Sequence, residues 1–256
     1  MRLDVFLYEK NKTVSRSRAK ELIEKGAIKI NGKTILKPSF EVPDDMSENL
    51  LEIAVNTDKY VSRGGYKLEG AILSFFIDVD GKVALDIGAS TGGFTDCLLK
   101  NGAKKVYAVD SGKNQLVDSL RVDNRVVVYE NYNARYMKKS DFADAIDIVV
   151  MDVSFISQTL IIPQIVDVLS IGGELVSLIK PQFEVGRANV GKNGIVKSEK
   201  ARKFAIDNVC KVASQYGLLL YKCIESPIKG GDGNIEFLAY FKKELNNEEH
   251  TFDSQR

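Results

Sequence analysis

A chain of 256 residues with 44% hydrophobic residues can hold one large domain, or one domain and a small module. The formal net charge of +1 excludes a uniform polycation, so any nucleic-acid site must come from local clustering of basic residues. Three scattered cysteines form neither a zinc pattern nor a disulfide framework, and no apolar run approaches the ~20 residues that span a bilayer; we therefore expect a cytoplasmic protein with no metal and no membrane partner.

Residues 1–55 are predicted to form a separate small α/β module. Apolar residues at helical spacing near the N-terminus precede a second helix, which Ser15 can cap. Asn31-Gly32 is a typical tight turn between two short strands, and Leu50–Val55 is predicted as the strand that closes the module. Residues 56–61 are the expected linker.

Basic residues outnumber acidic ones by ten to five between Met1 and Pro43. Four basic residues of the second helix and its end could follow RNA phosphates without reading bases: Arg16, Arg18, Lys20 and Lys25. A resemblance to the S4 RNA-binding domain is carried by Arg2–Leu7, Ser15–Ile23 and Gly26–Lys33. It implies that the helix and the hairpin contact structured RNA. The alternative is a solvated basic face on a small module.

A second domain is predicted over residues 62–245, followed by a polar tail at 246–256. Two glycines and an amphipathic helix follow Ser62, so Lys67 lies near a helix N-terminus. A cation there is unfavourable for the helix dipole. This placement indicates a function for Lys67, although a single lysine is more often only solvated.

A buried strand, a glycine-rich turn and a helix are predicted between Val83 and Leu99, and the rest of the domain is organised around them. Gly88, Gly92 and Gly93 allow a tight turn and a close approach to a ligand. Such a unit places a ligand at the carboxyl edge of a parallel sheet.

Asp86 precedes this turn and argues against a dinucleotide, because its carboxylate would repel a pyrophosphate. A cationic ligand fits better, and S-adenosylmethionine (SAM) carries an ammonium and a sulfonium. A second apolar strand ends in Asp110, whose carboxylate can accept hydrogen bonds from ribose hydroxyls. The alternative is an ordinary turn between a strand and a helix, with an aspartate as the helix cap.

These two carboxylates resemble, in order and spacing, the SAM-binding motifs of class I methyltransferases. The resemblance implies an α/β, Rossmann-like fold with a mostly parallel seven-stranded sheet and an antiparallel closing hairpin. It also implies SAM as the cofactor, held by Asp86, Gly88, Ser90, Gly92, Gly93, Phe94, Asp110, Asn133 and Asp152.

Three further predictions concern the later elements. Ile156–Leu169 is predicted as a helix that is kinked or begins near Pro163. The glycine-rich, basic loop Glu184–Lys197 is expected to be functional rather than a disordered insertion, because so long a loop is rarely idle in a compact domain. In the helix predicted over Ser198–Tyr216, Phe204 is expected to face inward.

Two lysines and two carboxylates stand at functional ends of predicted elements: Lys67, Asp152, Lys180 and Glu236. With the S4-like module, they resemble the hemolysin A-like (TlyA) family, in which an S4 domain is fused to an FtsJ-like methyltransferase domain. The resemblance is carried by residues 62–68, 86–95, 150–155, 178–184 and 233–237. It implies that these four residues form the catalytic tetrad.

The same resemblance implies methyl transfer to a ribose 2′-hydroxyl of cytidine in ribosomal RNA, with ribosomal RNA or a ribosomal subunit as the partner. Arg63 and Arg187 are added as expected RNA-binding residues. Two other functions stay open, a cytolysin and a non-catalytic RNA-binding protein of ribosome assembly. The tetrad argues against the second, and nothing in the sequence specifies an oligomeric state.

The single histidine, His250, lies in the polar tail, so the base that activates the hydroxyl is expected to be a lysine. Lys180 is the candidate, with Lys67 as the neighbouring cation that helps to keep its amine neutral. Asp152 and Glu236 are expected to orient that amine. Alternatively, Lys180 stays charged and only steers the hydroxyl.

Overall fold

The computed structural model describes residues 1–13, 15–24, 26–53, 59–230 and 233–244. The chain divides into two compact units, Met1–Lys59 and Tyr60–Arg256. The predicted boundary between residues 55 and 56 falls outside the described residues, as do residue 245 and the predicted tail. Those domain limits therefore stay predictions.

The first unit packs two helices against a small antiparallel sheet with the strand order β2-β1-β3. Its elements are α1 (Leu3–Glu9), α2 (Arg16–Glu24), β1 (Ile28–Ile30), β2 (Lys33–Thr34) and β3 (Leu51–Ile53). Ser15 caps α2 as expected, because its Oγ accepts a hydrogen bond from the Arg18 N–H at 3.1 Å. Apolar residues at helical spacing, among them Leu3, Phe6 and Ile23, are fully buried between the helices and the sheet.

The second unit is built on a seven-stranded sheet with the order β6-β5-β4-β7-β8-β10-β9. Strands β4 to β8 run parallel, and β10 pairs antiparallel with both β8 and β9, which confirms the predicted closing hairpin. The strands are β4 (Val83–Ile87), β5 (Lys105–Val109), β6 (Val126–Tyr129), β7 (Ile146–Met151), β8 (Leu169–Ile179), β9 (Leu218–Glu225) and β10 (Phe237–Lys243).

Helices cover both faces of this sheet, which explains why its central strands read as continuous apolar runs. The helices are α3 (Arg63–Phe75), α4 (Gly93–Lys100), α5 (Asp118–Arg121), α6 (Ile162–Val168), α7 (Pro181–Glu184) and α8 (Glu199–Gln215). Helices α3, α4 and α5 pack on one face, and α6 and α8 on the other. None of the helices in the described ranges is long and apolar enough to cross a bilayer.

Of the two forms predicted for the helix in Ile156–Leu169, the one that begins near Pro163 is confirmed, since α6 covers Ile162–Val168, whereas the start at Ile156 is wrong. The residues between β7 and α6 form a turn and a short 3₁₀ helix, Gln158–Leu160, at whose start the Ser157 hydroxyl and the Gln158 N–H donate hydrogen bonds to the Glu184 carboxylate. A side-chain acceptor that satisfies these groups outside an α-helix removes the need for α-helical hydrogen bonds there.

The prediction that Phe204 faces inward is also wrong, because its side chain is 56% exposed. The buried stripe of α8 runs through Ala205, Val209 and Ala213. Phe204 lies one residue from this stripe, which is about 100° around the helix. An apolar periodicity predicts which face of a helix is buried, but the elements that pack on this face decide which residues at its margin are covered.

Candidate active site

The turn between β4 and α4 lies where the strand order reverses, between β4 and β7, and open α/β sheets bind their ligands at such a point. Gly88 in this turn has a φ of +85°, and a Cβ on it would lie 2.5 Å from the carbonyl oxygen of Asp152. Only glycine permits both features. The glycine turn therefore lies directly against the end of β7, which carries Asp152.

Asp110, at the end of β5, ties two turns together. Its Oδ2 accepts a hydrogen bond from the Ser90 N–H at 2.8 Å, and its Oδ1 accepts one from the Gly112 N–H at 2.6 Å. The carboxylate therefore holds the glycine turn against the turn after β5. Carboxylate oxygens have further lone pairs, which remain available for hydroxyl donors.

Asp86 is fully buried behind the glycine turn. Thr95 Oγ1 donates a hydrogen bond of 2.6 Å to its Oδ2, whereas its Oδ1 has no hydrogen-bond partner among the described residues. Burial, reinforced by the nearby carboxylates of Asp152 and Asp110, raises the pKa of Asp86 to about 7. A buried carboxylate of this kind favours a positively charged neighbour.

The raised pKa of Asp86 predicts a specific pH dependence of stability. Between the unfolded pKa of ~4 and about 7, the folded chain binds the extra proton, so the unfolding free energy falls as pH rises through this window and is level above it. We expect the wild-type minus Asp86→Asn difference, from urea unfolding at pH 5 to 8, to fall by up to ~1.4 kcal/mol per pH unit below pH ~7. Other titrating groups cancel in this difference, and a difference that does not change with pH would contradict the assignment.

Two cavities meet beside Gly88 and Asp152 and form one cleft. The first cavity, of about 260 Å³, extends from the glycine turn to the start of α3 and to Lys180. The second cavity, of about 370 Å³, extends from Asp110 to Asn133. The cleft is thus elongated across the carboxyl ends of the central strands, with carboxylates along it.

A third cavity, of about 280 Å³, shares Ser154 and Lys180 with the first. Phe155 and Phe183 line it, with ring centroids 5.2 Å apart, and Glu236 lies on its wall. Phe155 is 92% exposed and has a φ of +64°, a backbone conformation that is uncommon for a bulky residue. The third cavity therefore combines aromatic faces with the amine of Lys180.

The four residues of the predicted tetrad form two ion pairs. Lys67 Nζ lies 2.6 Å from Glu236 Oε2, and Lys180 Nζ lies 2.6 Å from Asp152 Oδ1. Lys180 also donates a hydrogen bond to Ser154 Oγ at 2.8 Å. The expectation that Glu236 orients the Lys180 amine is wrong, because Glu236 holds Lys67 instead. Glu236 thereby neutralises the buried charge of Lys67 in the first turns of α3.

A buried carboxylate that sequence reasoning missed supports this site. Glu184 accepts hydrogen bonds from Ser157 Oγ at 2.6 Å and from the Gln158 N–H at 2.9 Å, and burial raises its pKa. It thereby joins the segment after β7, which carries Phe155, to α7 after Lys180. The signal that could have identified it is its position in the stretch directly after a functional strand end.

Most of the predicted cofactor residues line the cleft: Gly88, Ser90, Gly93, Phe94, Asp110, Asn133 and Asp152. Two do not. Gly92 packs against Leu116 and Leu120, and Asp86 lies behind the cleft wall. Both residues are buried and support the glycine turn without lining the cleft. Sequence reasoning missed the lining residues Ser154, Phe155 and Phe183, although they follow Asp152 and Lys180 directly.

The predicted RNA-binding residues lie in both units. Arg63 lines the first cavity, and Arg187 is exposed in the loop after α7. In the first unit, Arg16 lies 3.0 Å from Asp4 Oδ2, Arg18 lies 2.7 Å from Glu21 Oε2 and Lys20 lies 3.8 Å from Glu24 Oε1. Lys25 lies outside the described residues. Within the described ranges, no group of His, Cys, Asp and Glu residues could hold a metal ion.

The sheet order, the closing hairpin and the cleft at the strand-order reversal define the fold of the class I SAM-dependent methyltransferases. Residues 60–243 match the FtsJ-like methyltransferase family, and residues 1–46 match the S4 domain. The chain therefore belongs to the FtsJ-like methyltransferases, in the group that carries an S4 domain at its N-terminus.

Its relatives include Hemolysin A of Brachyspira hyodysenteriae, 47% identical over 94% of this chain and 99% of the relative. The 16S/23S rRNA (cytidine-2′-O)-methyltransferase TlyA of Mycobacterium tuberculosis is 39% identical over 94% and 89%. A Streptococcus thermophilus protein named as a hemolysin has a solved structure with a TM-score of 0.75, 43% identity and coverage of 95% and 88%. Aeropyrum pernix fibrillarin, solved with SAM, shares the fold at 19% identity, a TM-score of 0.51 and coverage of 70% and 76%.

Proposed function

We propose that this protein transfers a methyl group from SAM to a ribose 2′-hydroxyl of cytidine in ribosomal RNA. The observation that carries the proposal is that Lys180, in an ion pair with Asp152, lines both the first and the third cavity. A transfer reaction needs a donor site and an acceptor site that meet at one catalytic group. The relative named TlyA supports cytidine in ribosomal RNA as the substrate.

The residues of the cleft fit SAM. The glycine turn lets a ligand approach the backbone, and Asp110 can accept hydrogen bonds from ribose hydroxyls. Behind the turn, the buried carboxylate of Asp86, whose Oδ1 has no hydrogen-bond partner among the described residues, favours a positive charge nearby. SAM, when bound, supplies an electrophilic methyl group on its sulfonium. Asn133 and Tyr132 would border the adenine end of the second cavity.

Replacing Asp110 by alanine is expected to weaken SAM binding by roughly ten- to a hundredfold, the cost of losing a charge-assisted hydrogen bond. Isothermal calorimetry measures this change. Asp110→Asn is the matched control, because it keeps one acceptor oxygen for the turns and should fall between wild type and Asp110→Ala. Unchanged affinity in Asp110→Ala would remove Asp110 from the cofactor site.

In the acceptor half of the site, Lys180 is proposed to hold the 2′-hydroxyl. Its Nζ takes up the hydroxyl proton only in the neutral form, after the ammonium that pairs with Asp152 has released one proton to solvent. Asp152 and Ser154 fix the position of that amine through contacts of 2.6 Å and 2.8 Å. Phe155 and Phe183 offer ring faces to the nucleoside, since every base has a stacking face. Glu236 lines the third cavity and Lys67 lines the first, and their ion pair keeps both charges in place.

The first unit is proposed to supply RNA affinity and no chemistry. Combining Arg16→Gln with Arg18→Gln should weaken RNA binding and lower the slope of log affinity against log salt by about 1 for each phosphate that the variant no longer neutralises. SAM affinity, measured by calorimetry, should not change. Fluorescence anisotropy over a series of salt concentrations tests this, and an unchanged slope would assign the unit another role.

The experiment that tests the whole function is a map of 2′-O-methyl positions in ribosomal RNA after incubation of ribosomal subunits with purified protein and SAM. We expect new methylation at one or a few cytidines, and none with the Lys180→Ala variant. Methylation of a base, or lysis of red cells by protein free of lipid and of co-purified toxin, would contradict the proposal.

A further inference from the structure

Asn234 is a buried polar residue with no assigned role, only 2% exposed, two positions before Glu236. A buried amide is costly unless its donor and acceptor are both satisfied. Its Oδ1 accepts a hydrogen bond from the Val196 N–H at 3.0 Å, and its Nδ2 donates one to the Gly194 carbonyl at 2.9 Å. One side chain thus joins two segments that lie about 40 residues apart in the chain.

The segment that Asn234 holds is a wall of the third cavity. Val190 and Gly194 line this cavity together with Phe155. The Gly191 N–H donates to the Ile195 carbonyl at 3.0 Å, so residues 191–195 form a closed turn. Because this hydrogen bond closes the turn, the position of the turn relative to Glu236 depends on the contacts that join it to the rest of the unit.

The backbone of Asn234 is in turn held close to Glu236 of the predicted tetrad. The Asn234 carbonyl accepts a hydrogen bond from the Gly230 N–H at 2.9 Å. Gly230 passes so close to Glu236 that a Cβ on it would lie 2.5 Å from Oε1. The Asn234 side chain is therefore fixed in position relative to Glu236, whose carboxylate pairs with Lys67.

We propose that Asn234 is a positioning residue for the acceptor RNA: it clamps the wall of residues 190–196 to the segment directly before β10, which carries Glu236, and so sets the width of the third cavity. This inference rests on the proposed function, because it assigns the third cavity to the acceptor nucleoside. Asn234 touches neither the donor cleft nor Lys180 among the contacts described, so its effect falls on RNA and not on SAM.

The test compares Asn234→Ala with Asn189→Ala. Asn189 is a matched control, since its exposed side chain donates a hydrogen bond of 2.9 Å to the Val185 carbonyl within the same loop and does not reach the hairpin. We expect Asn234→Ala to raise the half-saturating RNA concentration in single-turnover assays by ~10-fold or more, for two lost hydrogen bonds. SAM affinity by calorimetry should stay within about twofold of wild type, and Asn189→Ala should resemble wild type in both measurements.

Two further measurements separate positioning from general stability. Asn234→Asp keeps the acceptor for the Val196 N–H but places a buried carboxylate oxygen against the Gly194 carbonyl, so its RNA dependence should be shifted at least as far as that of Asn234→Ala. Hydrogen exchange should rise at the Val196 amide in Asn234→Ala and not at the amides of β4. If Asn234→Ala does not fold, an RNA dependence of Asn234→Asp equal to wild type overturns the inference.

The outcomes distinguish this inference from the function on which it rests. Wild-type protein that methylates no ribosomal RNA would overturn the proposed function, and the inference with it. Wild-type transfer together with an Asn234→Ala variant that behaves like Asn189→Ala would overturn the inference alone. Equal losses of SAM and RNA affinity in Asn234→Ala would also overturn it, because they would show a global defect.

Discussion

Replacing Lys180 by alanine is expected to slow methyl transfer to RNA by at least ~100-fold, the low end for loss of a general base. The reason is that its amine lines both the first and the third cavity, in an ion pair with Asp152. Single-turnover transfer of a tritiated methyl group, with enzyme in excess over RNA, measures this step. SAM affinity, RNA affinity and the thermal midpoint should stay close to those of wild type.

Ser154→Ala is the matched control for this variant, because it removes the 2.8 Å hydrogen bond to Lys180 and leaves the ion pair with Asp152 intact. We expect a smaller loss than in Lys180→Ala, because one hydrogen bond of the amine is lost while the amine itself stays in place. Transfer by Lys180→Ala at the wild-type rate would remove Lys180 from the mechanism. A wild-type rate that does not rise with pH would favour steering of the hydroxyl over proton uptake.

Breaking the Lys67–Glu236 pair is expected to have the largest effect on stability. Both side chains are almost inaccessible, at 11% and 3% exposure, and their charged atoms lie 2.6 Å apart. Lys67→Met leaves the Glu236 carboxylate buried without its counter-ion, which typically costs ~3–5 kcal/mol of unfolding free energy. Urea unfolding followed by circular dichroism measures this cost.

The double variant Lys67→Met with Glu236→Leu separates stability from catalysis. Removing both charges should recover at least half of the lost unfolding free energy, because no buried charge then lacks a partner. Methyl transfer should stay impaired, since the wall of the third cavity has lost its carboxylate. Single variants within ~1 kcal/mol of wild type, or a double variant no more stable than Lys67→Met, would contradict this account.

The sequence by itself determined the features that depend on neighbours along the chain. The glycine turn, the capping role of Ser15 and the acidic end of β5 at Asp110 are local, since each depends on a few consecutive residues and their backbone preferences. The order of strands and helices identified the class I fold, because parallel strands joined by helices permit few topologies. The tetrad residues stand at strand or helix ends, which is why the sequence could name them as a set.

Only the tertiary structure decided which of these residues contact each other. Glu236 pairs with Lys67, 169 positions away, rather than with Lys180. Asn234 holds a loop that lies about 40 positions earlier, and the buried Glu184 accepts hydrogen bonds from Ser157 and Gln158, which lie before α6 rather than within it. The physical reason is that a buried polar group must find its partner in space, and sheet order and strand register, not distance along the chain, decide which partner lies within hydrogen-bond reach.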